Sequence, residues 1–461
     1  MYRKALADLF EWKDRLSRKP LVIRGARQVG KTWLVREFAR EKFENIVEIN
    51  FDQTPEKTQL FRDRNIARCL QLLEIDTNTE IVPGKTLLFF DEIQAGPELL
   101  PLLRYFYEER PDIHIIAAGS LLEFLLADHE FSMPVGRVEY LYLGPLDFDE
   151  FLLGLGQTGL AKFIAEFSLH DSIPDSIHEN LFYYVKIFWI IGGMPAAVQE
   201  YARTGEISEA VREHENILQT YEDDFSKYRK RMYPQRLRKV FRRLPAIIGR
   251  KLKYVNIDPG EKSRDLADSL HLLELARIFY PVRHSSGNGV PLGAEVKERD
   301  FKPLFLDAGL VATSLGLNLS SLQMADNILL VNNGAIAEQF VGQHLLYSQQ
   351  RYKRPELYYW NREQKSSQAE LDYLVSLDDK VIPVEVKAGK TGSLKSLQIF
   401  LSEKKVPIAL RFNAMPPACS EQTTAIAGKD RFPYYFISLP LYLVGQTKRL
   451  LKEGFSDLLK Q

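Results

Sequence analysis

The feature that constrains the fold most is the glycine-containing segment GARQVGKT at positions 25–32. It matches the pattern G-x-x-x-x-G-K-[ST], a phosphate-binding loop or P-loop. An apolar run at 21–23 precedes it and is typical of a buried strand, while residues 33–39 place apolar side chains at helical spacing. A strand, a glycine loop and a helix N-terminus point backbone N–H groups and a positive dipole end at one place. The segment therefore predicts a nucleotide phosphate site on an α/β domain.

Each residue type in this loop has a physical role. Gly25 and Gly30 let the backbone curl without Cβ clashes. Lys31 reaches the β- and γ-phosphates, and the Thr32 hydroxyl coordinates Mg²⁺. The residues predicted to contact the nucleotide are Gly25, Ala26, Arg27, Gln28, Val29, Gly30, Lys31, Thr32, Trp33 and, from a later strand, Ser120.

Two further apolar runs end in polar side chains. The run at 87–90 leads into Asp91 and Glu92. At the carboxyl end of a parallel strand, Asp91 is expected to hold Mg²⁺ and Glu92 to orient the attacking water. A plain strand-to-helix cap is the alternative, and the upstream P-loop favours the catalytic interpretation. The run at 113–117 leads to Ser120, which is predicted either to contact the γ-phosphate or water, or to cap the next helix.

Composition limits the classes of function. Lys plus Arg and Asp plus Glu each number 61, so the whole chain carries no signal for polyanion binding. The two cysteines, Cys69 and Cys419, suggest neither a disulfide framework nor a metal cluster. We expect a cytoplasmic protein, because no secretory leader is visible and the longest apolar stretch is too short and broken to span a bilayer. With 461 residues, two or three domains are expected.

Six segments occur in an order that resembles a known family: GARQVGKT, FFDEIQ, AAGS, PVGR, LGPL before FDEF, and GGMP. Together they are similar to the prokaryotic AAA-type ATPases that carry an uncharacterised C-terminal domain. The resemblance implies ATP and Mg²⁺ as cofactors, ATP hydrolysis, and a homo-oligomer as one assembly state. It also implies that Arg137 contacts the γ-phosphate, within one subunit or on a neighbour. A salt-bridged surface arginine is the alternative.

The pattern along the chain predicts four parts. Residues 1–150 form the P-loop core with a parallel sheet, and 151–230 resemble the helical lid of AAA-type ATPases. Residues 231–325 read as three short helices and a hairpin, which fits a winged-helix-like connector. A basic run at 227–243 with interleaved tyrosines predicts either contact with DNA or a solvated helix face paired with acids.

Residues 326–461 carry a helix, strands, a helix and a strand that resemble the PD-(D/E)XK restriction-endonuclease-like fold. Glu385 and Lys387 lie two apart on a strand and so face one side, where Asp372 on a neighbouring strand can join them. With Glu338 from the preceding helix, Asp372 and Glu385 are predicted to hold Mg²⁺, and Lys387 to position the water or the phosphate. Two departures bear on activity: Leu371 stands where the motif has Pro, and Ser402 stands where Gln398 would have a tyrosine partner.

The sequence therefore predicts an α/β protein: a P-loop sheet with a helical lid, a winged-helix-like connector and an endonuclease-like C-terminal domain. The predicted function is a Mg²⁺-dependent ATPase that couples its nucleotide state to the C-terminal domain, with DNA as the expected partner. The alternative is a nucleotide-gated switch that binds DNA or protein through an inactive nuclease fold.

Overall fold

The computed structural model describes residues 1–120, 122, 136–228, 233–317, 333–362, 369–389 and 394–460. Two β-sheets organise these residues, one from the N-terminal part of the chain and one from the C-terminal half. None of the helices in these ranges is long and apolar enough to cross a lipid bilayer.

The N-terminal sheet has five parallel strands in the order β2-β3-β4-β1-β5. They are β1 Leu21–Arg24, β2 Asn45–Asn50, β3 Thr86–Asp91, β4 His114–Gly119 and β5 Glu139–Tyr142. Every residue of β1, β3 and β4 is buried, as expected for parallel strands covered on both faces. The predicted parallel sheet is confirmed.

Helices cover both faces of this sheet because its side chains alternate between two hydrophobic cores. These helices are α1 Ala5–Asp14, α2 Lys31–Lys42, α3 Ile66–Thr77 and α4 Leu102–Glu109. Ile23 and Phe89 lie in the core with α1 and α2, whereas Val22 and Phe90 lie in the core with α3 and α4. The carboxyl ends of β1 and β3 therefore meet at one edge, with α2 beginning beside them.

Residues 148–224 form helices, as predicted. These are α5 Phe148–Gly154, α6 Thr158–Glu166, α7 Asp175–Ile191, α8 Pro195–Thr204 and α9 Ile207–Asp224. A capping box starts α5, with Asp147 as the N-cap and Glu150 reaching back to it. Gly192 ends α7 at φ +63°, and its neighbour Gly193 donates its N–H to Asp307 Oδ2 at 2.7 Å. This contact joins the helical segment to the second half of the chain.

The middle segment has the predicted helices and hairpin. Its elements are α10 Pro234–Arg243, α11 Tyr254–Ile257, α12 Ser263–Leu275, β6 Phe279–Ser285, β7 Val296–Phe305 and α13 Ala308–Ser314. The hairpin is not a separate wing, because β6 pairs in parallel with β8 of the C-terminal half. The predicted boundary after residue 325 thus lies between strands of one continuous sheet, and the four-part division of the chain stays a prediction.

The second sheet has eight strands in the order β12-β13-β11-β10-β9-β8-β6-β7. The remaining elements are α14 Asn333–Tyr347, β8 Leu357–Asn361, β9 Glu370–Leu377, β10 Lys380–Val386, α15 Lys395–Lys404, β11 Ile408–Asn413, β12 Ala418–Thr423, β13 Pro433–Pro440 and α16 Thr447–Lys460. The predicted helix, strands, helix and strand are all present, and the sheet is mixed. An endonuclease-like fold for it stays a prediction.

Helix α14 joins the C-terminal sheet to the N-terminal half. Phe340 packs edge-on against Phe188 of α7 and Phe148 of α5, at ring distances of 5.3 and 6.0 Å. One turn later, His344 Nε2 accepts the N–H of Phe148 at 2.9 Å. The same helix carries Glu338 of the predicted C-terminal site, so one buried element contacts both halves.

Candidate nucleotide site and C-terminal cluster

The P-loop runs from the end of β1 to the start of α2. Gly30 caps α2 in a left-handed conformation at φ +90°, which glycine adopts without a Cβ penalty. Gly25 has a different constraint, because a Cβ there would lie 2.3 Å from the carbonyl oxygen of Leu143. Lys31 Nζ donates to the carbonyls of Gly25 and Ala26, at 3.2 and 2.8 Å. The lysine thus lies over the loop whose phosphate it is predicted to bind.

Thr32 and Asp91 are brought into direct contact. The Thr32 hydroxyl donates to Asp91 Oδ2 at 2.9 Å, and Asn50 Nδ2 donates to the same oxygen at 3.4 Å. Burial, the largest cause, raises the pKa of Asp91 above its ordinary value. A hydroxyl and a buried carboxylate are hard oxygen ligands, so this pair fits Mg²⁺.

Glu92 follows Asp91 in a left-handed conformation at φ +49°. Its carboxylate accepts hydrogen bonds from the Gln94 amide and, at 3.5 Å, from the Ser120 hydroxyl. The strained backbone turns the side chain toward the cavity described next. Ser120 therefore contacts the predicted water-orienting acid, while most of the helix it was predicted to cap lies outside the described residues.

A cavity of about 880 Å³ opens over the P-loop, within the size range of small-molecule sites. Gln28, Gly30, Lys31, Thr32, Trp33 and Glu92 line one part of it. The helical segment lines another part through Pro195, Ala196, Gln199 and Glu213, and the start of the chain contributes Met1 and Arg3. The GGMP segment therefore forms a wall of the cavity, through Pro195.

Two contacts from α9 to the P-loop were not predicted. Arg27 Nε lies 2.9 Å from Asp224 Oδ2, and the Tyr221 hydroxyl donates to the Arg27 carbonyl at 3.0 Å. Burial, the largest cause, raises the pKa of Tyr221, so its hydroxyl stays protonated. Because 194 residues separate Tyr221 from Arg27, no local pattern signals this contact. The last turn of α9 thus contacts the P-loop through Tyr221 and Asp224.

Arg137 lies away from the cavity of its own chain. It precedes β5, whose Glu139 pairs with Leu21 at the start of β1, whereas the P-loop follows the end of β1. Arg137 Nε instead donates to Glu108 of α4 at 2.8 Å. The salt-bridged alternative describes this geometry, and Arg137 lies at the edge of the sheet opposite the P-loop of its own chain. A contact with a neighbouring subunit's nucleotide stays a prediction.

Several described cations of the basic run are paired with acids, while Arg243 donates to the carbonyl of Asn256. Arg236 contacts Glu261 and Asp265, Lys239 contacts Asp258, and Arg242 makes a two-fold contact with Glu222 at 2.7 Å. Residues 229–232 of the run lie outside the described residues. These ion pairs fit the alternative of a solvated helix face paired with acids, and contact of α10 with DNA stays a prediction.

The four predicted residues of the C-terminal site lie close together. Glu385 pairs with Lys387, and Asp372 Oδ2 accepts the N–H of Val386 at 2.7 Å. Burial and the charge of Asp372 raise the pKa of Glu385 to about 7. The same two causes raise the pKa of Glu338 well above its ordinary value. The structure thus brings these four side chains into one cluster, and their role in a site stays a prediction.

A buried lysine that was not predicted completes this cluster. Lys302 of β7 is only 3% exposed, and its Nζ lies 2.5 Å from Glu370 Oε1 and 3.8 Å from Asp372 Oδ1. Across the described ranges, no three His, Cys, Asp or Glu side chains are arranged to hold a metal ion. The acids are partnered by Lys302 and Lys387 instead, so the side chains as placed do not fit the predicted Mg²⁺.

Three parts of the chain match known protein families. Residues 17–152 match the family described as AAA domain. The N-terminal part of this chain, with its P-loop and parallel sheet, is therefore similar to AAA-type domains. Residues 184–321 and 333–422 match two families, each described as a domain of unknown function. No curated protein matches the chain.

Among solved structures, similar chains include a Walker-type ATPase of Pyrococcus abyssi, at 18% identity and a TM-score of 0.43. That match covers 68% of this chain and 95% of the other. The ORC2 protein of Aeropyrum pernix, in ADPNP–ADP complexes, is 13% identical, with coverage of 69% and 94% and a TM-score of 0.33. The ORC1 protein of the same organism, in complex with DNA, is 13% identical, with coverage of 70% and 95% and a TM-score of 0.28. TM-scores below 0.5 do not establish a shared fold over the whole chain.

Proposed function

We propose that this protein is an ATP-binding, Mg²⁺-dependent ATPase. The observation that carries the proposal is the contact between the Thr32 hydroxyl and the buried Asp91 carboxylate, at the end of a complete P-loop and beside the cavity. An isolated loop motif occurs by chance, whereas a loop with its metal-holding acid 2.9 Å away has the parts that phosphoryl transfer needs.

Each residue of the proposed nucleotide site has its own role. The loop amides and Lys31 bind and orient the β- and γ-phosphates. Thr32 and Asp91 would hold Mg²⁺, which neutralises charge on the phosphate oxygens. Glu92, held by Gln94 and Ser120, orients the water for in-line attack. ATP rather than another nucleotide is proposed from the AAA-domain match.

The experiment is ATP binding and turnover by the full chain and two lysine variants. Lys31→Ala should abolish binding or hydrolysis, because it removes the cation over the loop. Lys42→Ala, at the other end of the same helix, should behave as wild type, because its side chain lies over the Phe10 ring. Unchanged turnover in Lys31→Ala would refute the site.

We further propose that the nucleotide state is passed to the C-terminal domain, which binds a partner, with DNA as the class to test first. Support comes from α14, which contacts the AAA-type domain at Phe148 and carries Glu338 in the C-terminal cluster. ATP turnover should be measured with and without single- and double-stranded DNA. Unchanged turnover and no DNA binding would leave protein as the partner class.

DNA cleavage is a second candidate function of the C-terminal domain. In its favour, Glu385 is buried beside Asp372 with one carboxylate oxygen that has no hydrogen-bond partner among the described residues. Against it stand the two lysines that partner the acids and the two departures from the motif. A nuclease assay with Mg²⁺ or Mn²⁺ on wild type and on Asp372→Ala with Lys387→Ala decides it. Cutting that the variants lose supports an enzyme, and no cutting in either metal supports a binding switch.

A further inference from the structure

Arg3 is buried between the P-loop and the segment after β5. It is 4% exposed and lies just before α1. Its Nη1 donates to the carbonyl of Val29 at 2.8 Å, and its Nη2 donates to the carbonyl of Gly144 at 2.8 Å. Its Nε faces Glu150 at 3.3–3.4 Å. One guanidinium group therefore joins the start of the chain to the P-loop and to residues 144–150.

The acidic start of α5 holds this arginine in place. Lys4 Nζ contacts Asp147 Oδ2 and Asp149 Oδ2, each at 2.6 Å. The backbone N–H of Lys4 donates to Glu150 Oε1 at 2.6 Å. The acids belong to the LGPLDFDE run that the sequence singled out without assigning it a task. We call these five residues, Arg3, Lys4, Asp147, Asp149 and Glu150, the loop brace.

The loop brace holds one peptide bond of the P-loop, between Val29 and Gly30. Val29 precedes Gly30, and the C=O and N–H of one planar peptide point in opposite directions. With its carbonyl fixed on Arg3, the Val29–Gly30 peptide directs the Gly30 N–H away from Arg3, to the side where the loop is proposed to bind phosphate. A guanidinium fork satisfies two carbonyls at fixed separation, which a lysine ammonium cannot reproduce.

We propose that Arg3 is a positioning residue for the nucleotide site, held by the acidic first turn of α5. This inference rests on the proposed function, since it concerns the same loop. We assign Arg3 to holding the loop rather than to the chemical step, because each of its three nitrogens donates to the protein, at Val29, Gly144 and Glu150. Its loss should therefore weaken nucleotide binding more than turnover at saturation.

The test measures the dissociation constant of ATP with Mg²⁺ and kcat at saturating ATP in the full chain. Arg3→Met should raise the dissociation constant by about ten-fold or more while kcat falls less than about three-fold. Arg3→Lys should lie between wild type and Arg3→Met, and Glu150→Gln should also weaken binding. Arg351→Met is the matched control, because it removes an ion pair with Asp8 of the adjacent helix α1 without touching the loop.

A second control separates positioning from general stability. Leu270→Ala removes a buried side chain in α12, and it should lower the melting temperature without changing ATP affinity. If Arg3→Met does not fold, Arg3→Lys decides: weaker ATP binding with unchanged kcat supports the inference. If the folded Arg3 variants bind ATP with wild-type affinity, the positioning role of Arg3 is overturned, whereas the proposed ATP site is unaffected. An equal loss of ATP affinity in Leu270→Ala also overturns the positioning role. A wild-type protein that does not bind ATP overturns both this role and the proposed function.

Discussion

Two glycines that end successive helices give a matched pair for testing the junction beside the nucleotide site. Gly192 ends α7 at φ +63°, ψ −159°, a region that is essentially restricted to glycine. A Cβ there would lie 1.9 Å from Asp307 Oδ1, so an added methyl group clashes with a fixed carboxylate. Gly205 ends α8 at φ +75°, ψ 0°, and a Cβ there would meet nothing within 4 Å.

The magnitudes follow from these geometries. Gly205→Ala incurs only the left-handed penalty, about 1–2 kcal/mol. Gly192→Ala incurs about 1–3 kcal/mol of backbone strain. Overpacking adds about 1–3 kcal/mol more. It also disturbs the carboxylate that accepts the N–H groups of Gly193, Gly309 and Leu310. Gly192→Ala should therefore lower the free energy of unfolding by about 4 kcal/mol, which is a larger loss than that expected for Gly205→Ala.

The assay is urea unfolding of wild type and both variants, together with ATP affinity. Gly192→Ala should also weaken ATP binding, because Pro195, three residues later, lines the cavity. Gly205→Ala should bind as wild type. The packing of Gly192 on Asp307 would be refuted if the two substitutions lowered stability equally, or if Gly192→Ala were as stable as wild type.

Three further predictions concern other parts of the structure. Glu92→Gln should still bind ATP but turn it over about 10²-fold more slowly, because the base that orients water is lost; normal turnover places the base elsewhere. His344 Nε2 accepts the Phe148 N–H, and burial lowers the pKa of His344 to about 4. Since the unfolded chain then binds more protons, stability should fall as the pH drops from 6.5 to 4, by up to about 3 kcal/mol. His344→Gln should flatten this slope in pH-dependent melting, and an identical slope would contradict the assignment. Arg137→Ala should leave ATP affinity within about two-fold of wild type, because Arg137 lies at the far edge of the sheet; a large loss by calorimetry would mean that a neighbouring subunit's Arg137 completes the site.

Local patterns were enough to predict where the candidate nucleotide site lies, because its parts are local. A strand, a glycine loop and a helix start are contiguous, and the acid that ends β3 lies beside them once the sheet is parallel. The contact from Thr32 to Asp91 follows from these two facts. Arg137 shows the same rule in reverse: a residue before a strand lies at the amino edge, opposite the P-loop.

The missed residues depend on contacts between distant segments. Arg3 reaches Gly144 across 141 residues, and Lys302 reaches Glu370 from a strand three positions away in the sheet. No periodicity encodes such contacts, because they arise from how helices and sheets pack together. Charge gives a partial signal for such contacts. Basic residues such as Arg3 and Lys4 need acidic partners when they are buried, and the run with Asp147, Asp149 and Glu150 supplies them.

The central claim is that the P-loop and Asp91 form a single site for ATP with Mg²⁺. The most direct measurement is a calorimetric titration of ATP into the full chain, with and without Mg²⁺, for wild type and Asp91→Asn. The account predicts that Mg²⁺ strengthens binding in wild type and that Asp91→Asn loses most of this effect. A wild-type protein that ignores ATP in the presence of Mg²⁺, or an Asp91→Asn variant with undiminished Mg²⁺ dependence, would contradict it.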